Sequence, residues 1–207
     1  EADPDAMGAA CDAATIMIVG SAPSFPHGII DPIAALGDVA AKKNIWLHVD
    51  ACVGGYFAPF ARMNGVPVPP FDFEVPQVHS MSADLHKYGY CTKGASTVLF
   101  RSEELYQYMP FDMAGWSGAP MKTPTLAGTR PGGAISAAWA VMNTLGVAGY
   151  REKQGLVCET RERIEEGVKR LGFEILGTPL LGLMAFRHPD HHALALYGEI
   201  YRCGRFS

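Results

Sequence analysis

The chain is short of the features that would tie it to a membrane, a metal or a nucleic acid. Its five cysteines, Cys11, Cys52, Cys91, Cys158 and Cys203, are odd in number, scattered and without a CxxC pair. A disulfide framework or zinc knuckle is therefore not expected, and reduced thiols in a cytosol-like compartment fit better. The longest apolar runs, such as "AATIMIVG", fall far below the roughly 20 residues that cross a bilayer. Charged residues make up 18% of the chain, with a net charge of −4 and a pI near 6.0, which gives nucleic acid no electrostatic footprint. His188, His191 and His192 crowd into "RHPDHHA", but their spacing fits no common zinc pattern. No internal repeat or low-complexity tract is visible, and no signal peptide is expected from the first residues. The first residue is not methionine and the last residues form no tail, so the sequence reads as a segment of a longer protein.

What is present is a core. With 207 residues, 48% of them hydrophobic, the chain has material for one or two globular domains. "ATIMIVG" (14–20) is a continuous apolar run ending in glycine, which reads as a buried parallel strand. A Pro- and Gly-rich loop comes next. Asp31 and Pro32 then look like the N-cap and first position of a helix reaching about Lys43. "IWLHVDA" (45–51) is a second buried strand, completing a βαβ unit and predicting a parallel sheet. Strands are also expected at 77–84 and 96–102, a long loop at 121–133, and a helix over "AISAAWAVMNTLG" buried on most sides. A charged amphipathic helix spans 150–172. "FEILG" and "LLGLMAFRH" read as strands with a helix over "HHALALYGEIYRCG" lying on them. The domain change is placed near Tyr150, giving domains 1–150 and 151–207.

Ligands of parallel α/β sheets sit beyond the carboxyl ends of the strands. Here those ends carry Ser21, the pair His48 and Asp50, and "SADLHK" with Ser82, His86 and Lys87. A carboxylate ending so apolar a strand either caps the next helix or meets a cation or several donors. A lysine is ordinarily a solvated charge. In a shielded pocket its ammonium form is disfavoured, and it becomes a nucleophilic amine able to form an imine. A carboxylate and an amine on neighbouring strand ends suit pyridoxal phosphate, which needs a lysine for its aldehyde, a carboxylate for its ring nitrogen and donors for its phosphate.

"HVDA" followed by "SADLHKYGYCTKG" resembles the pyridoxal-phosphate-dependent group II decarboxylases, and "GSAPSFPHGIIDPI", "DLHKYGYCTKGASTVLF" and "TPTLAGTRPGG" are most similar to the branch that cleaves phosphorylated sphingoid bases. The similarity runs over roughly residues 15 to 205. It implies an α/β chain of the pyridoxal-phosphate-dependent transferase type I (aspartate aminotransferase-like) class: the later part of a large cofactor-binding domain, then a smaller α+β C-terminal domain. By the same resemblance Lys87 holds the cofactor's aldehyde, Asp50 pairs with the pyridine nitrogen, and the Ala51 methyl lies against the ring. His86 and Ser82 match phosphate-binding positions, while Ser21 and His48 join the cofactor-binding set. Lys93 stands near the substrate phosphate, and Tyr88, with Tyr90 behind it, near substrate or partner subunit. Gly128 and Thr129 of "GTRPGG" resemble a loop that reaches the neighbouring subunit's cofactor phosphate.

The implied enzyme is a homodimer with composite active sites. It cleaves a phosphorylated long-chain base by retro-aldol chemistry to a long-chain aldehyde and phosphoethanolamine. The alternative is decarboxylation of an amino acid. A third reading, an interaction module that kept only the fold, is disfavoured by the intact Asp50, His86 and Lys87. No metal is implied. The expected location is cytoplasmic, with transient membrane contact for a lipid-tailed substrate. Cys91 is expected to serve packing, and the charges of "ETRERIEEGVKR" a solvated face.

Overall fold

A computed structural model describes residues 1–204; positions 205–207, the end of the expected second domain, lie outside the described residues. A short helix, α1 (Pro4–Ala10), is capped by the Asp3 carboxylate, which accepts from the backbone N–H groups of Asp5 and Ala6. The main sheet then takes β1 (Met17–Ser21), β2 (Trp46–Asp50), β3 (Ser80–Ala83) and β4 (Thr97–Phe100) in that spatial order. β1, β2 and β3 are parallel as predicted, in a register that aligns Ser21 with Asp50 and Asp50 with Ser82. β4 is antiparallel to β3. The segment between them, residues 84–96, holds no crossover helix of the kind that usually carries a chain back for a parallel return.

α2 (Ile33–Lys43) joins β1 to β2. Its buried Ile33, Leu36 and Ala40 form one core with Ile18, Leu47 and Val49 of the strands. Gly20 makes the contact possible: a Cβ there would lie 2.6 Å from Ile33 Cδ1 and 2.8 Å from Leu36 Cδ1. Asp31 is not the N-cap. That position is Pro32, without a side-chain bond, while the buried Asp31 carboxylate accepts from the N–H groups of Ala2 and Ser21, both at 2.8 Å. The donor left at the end of β1 takes the carboxylate that would otherwise cap the helix. The opposite sheet face is open. Met17 and Val19 are 45% and 46% exposed, and strand alternation puts Trp46, His48 and Asp50 on that same side.

Beyond α3 (Ala58–Met63) and α4 (Glu103–Tyr106), β5 (Phe111–Met113) and β6 (Met121–Thr123) form an antiparallel hairpin, so the start of the expected 121–133 loop is a strand. The two helices expected next form one element, α5 (Gly132–Arg170), broken only at Gly146, where φ is 55° and ψ −173°. The expected domain boundary near 150 falls just past this break. The stretch before it is not buried on most sides: Ala138 is covered, but Ile135 is 64% and Trp139 69% exposed. Past it, Tyr150, Gln154 and Cys158 recur at helical spacing and are buried. Tyr150 stacks on Phe60 of α3 with ring centroids 4.9 Å apart. β7 (Glu174–Leu176) and β8 (Ala185–Arg187) pair antiparallel as predicted. α6 (Ala193–Arg202) forms too, but buries no residue. Among the described residues no helix is long and apolar enough to cross a membrane, and no group of three metal-ligating side chains occurs.

The Tyr150 hydroxyl donates to the Gly89 carbonyl at 2.8 Å. Burial, with smaller contributions from Cys91, Tyr56 and Tyr90, pushes its pKa up to about 12. A raised pKa means the folded chain holds this proton more tightly than the unfolded chain. The stabilisation is therefore intact below about pH 10 and is lost as pH rises toward 12. Thermal melts followed by circular dichroism from pH 9 to 12 should show a steeper fall in Tm for the parent than for Tyr150→Phe; equal slopes would mean that this phenol is not held neutral.

Candidate functional site

The site is built where β2 and β3 end. Asp50, last residue of β2, takes two bonds on Oδ1: the Cys52 backbone N–H at 3.0 Å and the Ser82 hydroxyl at 3.0 Å. Ser82 can reach because the parallel register sets it beside Asp50. Burial pushes the Asp50 pKa up, but the bonds from Cys52 and Ser82 and the Lys87 charge outweigh it, so the carboxyl sits below its ordinary value and is ionised near neutrality.

Lys87 comes after β3 on a tight turn in which its N–H donates to the Asp84 carbonyl. Its Nζ lies 3.0 Å from Asp84 Oδ2, and its side chain is 36% exposed. The expected neutral amine in a shielded pocket is not what this environment produces. Burial does favour the neutral form, yet the Cys52 thiol and the Asp84 carboxylate outweigh it and raise the Lys87 pKa. The same carboxylate faces His86 Nε2 at 3.7 Å and accepts a short bond from the Ser96 hydroxyl. His86 Nδ1 is 2.7 Å from the Ala95 carbonyl. A carbonyl only accepts, so Nδ1 carries a proton and Nε2 points the other way around the ring.

The other predicted residues divide between this cluster and its surroundings. Ser82 belongs to it, but its hydroxyl is spent on Asp50 rather than presented to a phosphate. Ala51 is fully buried in the core, so its methyl is not offered to a ring. The residue that reaches the open side is the half-buried Cys52, whose thiol interacts with both Asp50 and Lys87. Alternation explains the difference, since Ala51 continues the inward positions of Leu47 and Val49. His48 lies two residues upstream of Asp50 on the same face. Its Nδ1 is 2.7 Å from the Ser80 hydroxyl, which also accepts from Trp46 Nε1 at 2.8 Å. Burial lowers the His48 pKa, against the pull of Asp50. Ser21 ends β1 in line with Asp50.

Tyr88 turns inward, edge-on to Phe57 at 4.6 Å, and burial raises its pKa. Lys93 is exposed on the turn beyond Lys87. Gly128 and Thr129 lie on a turn closed by the Gly128 N–H on the Thr125 carbonyl, a turn that makes its hydrogen bonds locally. The Cys91 thiol is buried and donates to the Gly89 carbonyl, in keeping with packing.

Three residues of the site escape the sequence reasoning. Cys52 stands next to Ala51, Asp84 lies inside "SADLHK" without a role assigned to it, and the three-residue step from Asp84 to Lys87 is a usable signal. Gln154 offers none. It is fully buried on α5, and its Nε2 donates to the carbonyls of Tyr56 (3.0 Å) and Tyr88 (3.1 Å), the residue after Lys87. With Tyr150 on Gly89, it ties the lysine turn to a helix distant in sequence.

The donor set fits pyridoxal phosphate: an amine and an ionised carboxylate on adjacent strand ends, the carboxylate fixed by two donors. Similarity to known proteins agrees. Residues 3–189 match the pyridoxal-dependent decarboxylase conserved domain. The chain is 47% identical over 173 residues to a sphingosine-1-phosphate lyase of Oryza sativa, aligning 83% of this chain with 32% of that protein. It is 42% identical to sphingosine-1-phosphate lyase 1 of Rattus norvegicus over 92% of this chain and 34% of that protein. It therefore spans about a third of the length of these curated relatives. The solved sphingosine-1-phosphate lyase of Burkholderia pseudomallei superimposes with a TM-score of 0.92 at 38% identity, covering 98% of this chain and 46% of that one. A Lactobacillus brevis glutamate decarboxylase, at TM-score 0.81 and 23% identity, shares the fold.

Asp84→Asn should shift the pH profile of amine labelling at Lys87 to lower pH, measured by reductive methylation of the cofactor-free protein and peptide mass spectrometry. An unmoved profile would show that Asp84 does not hold this charge.

Proposed function

The chain belongs to the pyridoxal-dependent decarboxylase family, and on that premise we propose that it carries the lysine-bearing part of a pyridoxal-phosphate-dependent carbon–carbon lyase. The substrates are phosphorylated sphingoid bases, cleaved between Cα and Cβ to a long-chain aldehyde and phosphoethanolamine. The observation that carries this is the pairing of Asp50 and Lys87 on adjacent strand ends, within a chain whose 36–48% identical relatives are named as sphingosine-1-phosphate lyases. The amino-acid decarboxylase alternative draws on likenesses that support the fold alone.

When bound, pyridoxal phosphate supplies a cationic ring that takes up the electrons of the bond being broken. Asp50 would face the ring nitrogen and hold a proton there, kept ionised and aimed by the Ser82 hydroxyl and the Cys52 N–H. Lys87 would hold the aldehyde through its amine. Asp84 and Cys52 stabilise the protonated amine whenever it is displaced. His86, held through Nδ1 on the Ala95 carbonyl and facing Asp84 with Nε2 at 3.7 Å, is the proposed imidazole beside the cofactor phosphate. Lys93, exposed on the next turn, is the proposed cation for the substrate phosphate. Gly128 and Thr129 would serve the neighbouring subunit in a homodimer; the exposed Leu126, Ile135 and Trp139 near that loop support such a contact.

Purified with pyridoxal phosphate, Lys87→Ala should lose the cofactor's bound absorbance and release no aldehyde from phosphorylated sphingosine, while the parent keeps the absorbance and releases the aldehyde. Carbon dioxide from an amino acid with no aldehyde from the phosphorylated base would make the enzyme a decarboxylase instead.

A further inference from the structure

Beside Lys87 lies a cavity of about 540 Å³ lined by Phe25, Val53, Lys87, Tyr88, Tyr90 and Leu183. That volume is within the range of small-molecule sites, about 300–1,000 Å³. Its walls are apolar and aromatic. The single charge in them is the Lys87 ammonium, already paired with Asp84 at 3.0 Å. A compact polar substrate such as an amino acid would bring a carboxylate to walls with no unpaired cation, and leaving that charge unmatched is costly. A hydrocarbon chain would find walls that match it.

The walls come from distant parts of the sequence and are brought together by close approaches at two glycines. Phe25 stands on the loop after β1, and on the same loop Gly28 adopts φ 71° and approaches Leu183 so closely that a Cβ would lie 2.0 Å from the Leu183 carbonyl oxygen. Gly182 leaves room for the Tyr88 hydroxyl, which would come within 2.5 Å of a Cβ. Leu183, on the β7–β8 connection, is thereby fixed against the turn that carries Lys87. Val53, buried, forms the floor just past Asp50 and Cys52. Phe25, 76% exposed, stands at the edge with its ring toward solvent.

We propose that this cavity receives the hydrocarbon chain of the substrate, and that Phe25, Val53 and Leu183 set the preference for long chains over short ones. This deepens the lyase proposal above and rests on it. Each methylene that leaves water for such a wall tightens binding by up to about fourfold, until the cavity is full.

The test uses cofactor-free protein and two probes below micellar concentration, decyl phosphate and ethyl phosphate, titrated by calorimetry. Decyl phosphate should bind at least about a hundredfold more tightly. That affinity ratio should fall about tenfold in Phe25→Glu, whose parent side chain is too exposed for the change to threaten folding, and in Leu183→Glu. Equal affinity for the two probes, or a ratio unmoved in Phe25→Glu, overturns the assignment. With cofactor bound, kcat/KM for an 18-carbon phosphorylated sphingoid base relative to its 8-carbon analogue should fall at least about tenfold in the same variants. Aldehyde release with no chain-length preference sinks the cavity assignment and leaves the lyase standing. Tight binding of decyl phosphate without aldehyde release sinks the lyase and supports the chain site.

Discussion

The parallel register between β2 and β3 is the constraint on which the site depends. It sets Ser82 beside Asp50 and lets the hydroxyl bond the carboxylate. It also starts the Lys87 turn from the neighbouring strand end, so that the lysine's charge is felt at Asp50. A slip of one residue would turn both polar ends into the core, because side chains alternate between faces. The buried positions, Ile18 and Gly20 on β1 and Leu47 and Val49 on β2, hold the register from below by packing on α2.

The charges are arranged for a partner that the chain itself does not supply. Asp50 is kept ionised and Lys87 is kept protonated, each by neighbours that outweigh partial burial. Asp84 sits between Lys87 and His86 and receives the Ser96 hydroxyl as well. The turn bearing these groups is tied to α5 by Gln154 and Tyr150. A site that must hold a small ring within a fraction of an ångström needs such anchoring. The buried Gln154 Oε1 has no hydrogen-bond partner among the described residues, a cost the fold tolerates while the amide's donors serve two carbonyls.

Local pattern makes much of this legible in the sequence. The apolar runs ending in Gly20 and Asp50, the βα punctuation at Asp31-Pro32 and the "SADLHK" segment locate β1, β2, α2 and the Asp50–Lys87 pair. Long-range pairing is not legible. The reversed direction of β4 goes with a connection that holds no crossover helix, and Asp31 abandons its cap for the Ser21 N–H. Cys52, in place of the expected Ala51, reaches the open side, because one residue decides which side of the sheet a group faces. Gln154 looks like one more polar residue on a charged helix. The small residues before Gly146 look like a buried face, yet only Ala138 is fully covered there, with Ala134 and Val141 partly buried beside it.

The central claim is that one pyridine ring is gripped between the residues at positions 50 and 87. Borohydride reduction of the pyridoxal-phosphate-loaded protein, followed by peptide mass spectrometry, tests it most directly. The account predicts a phosphopyridoxyl group on the peptide containing Lys87 and on no other lysine. Its appearance on Lys93 or elsewhere, with Lys87 unmodified, would contradict the account.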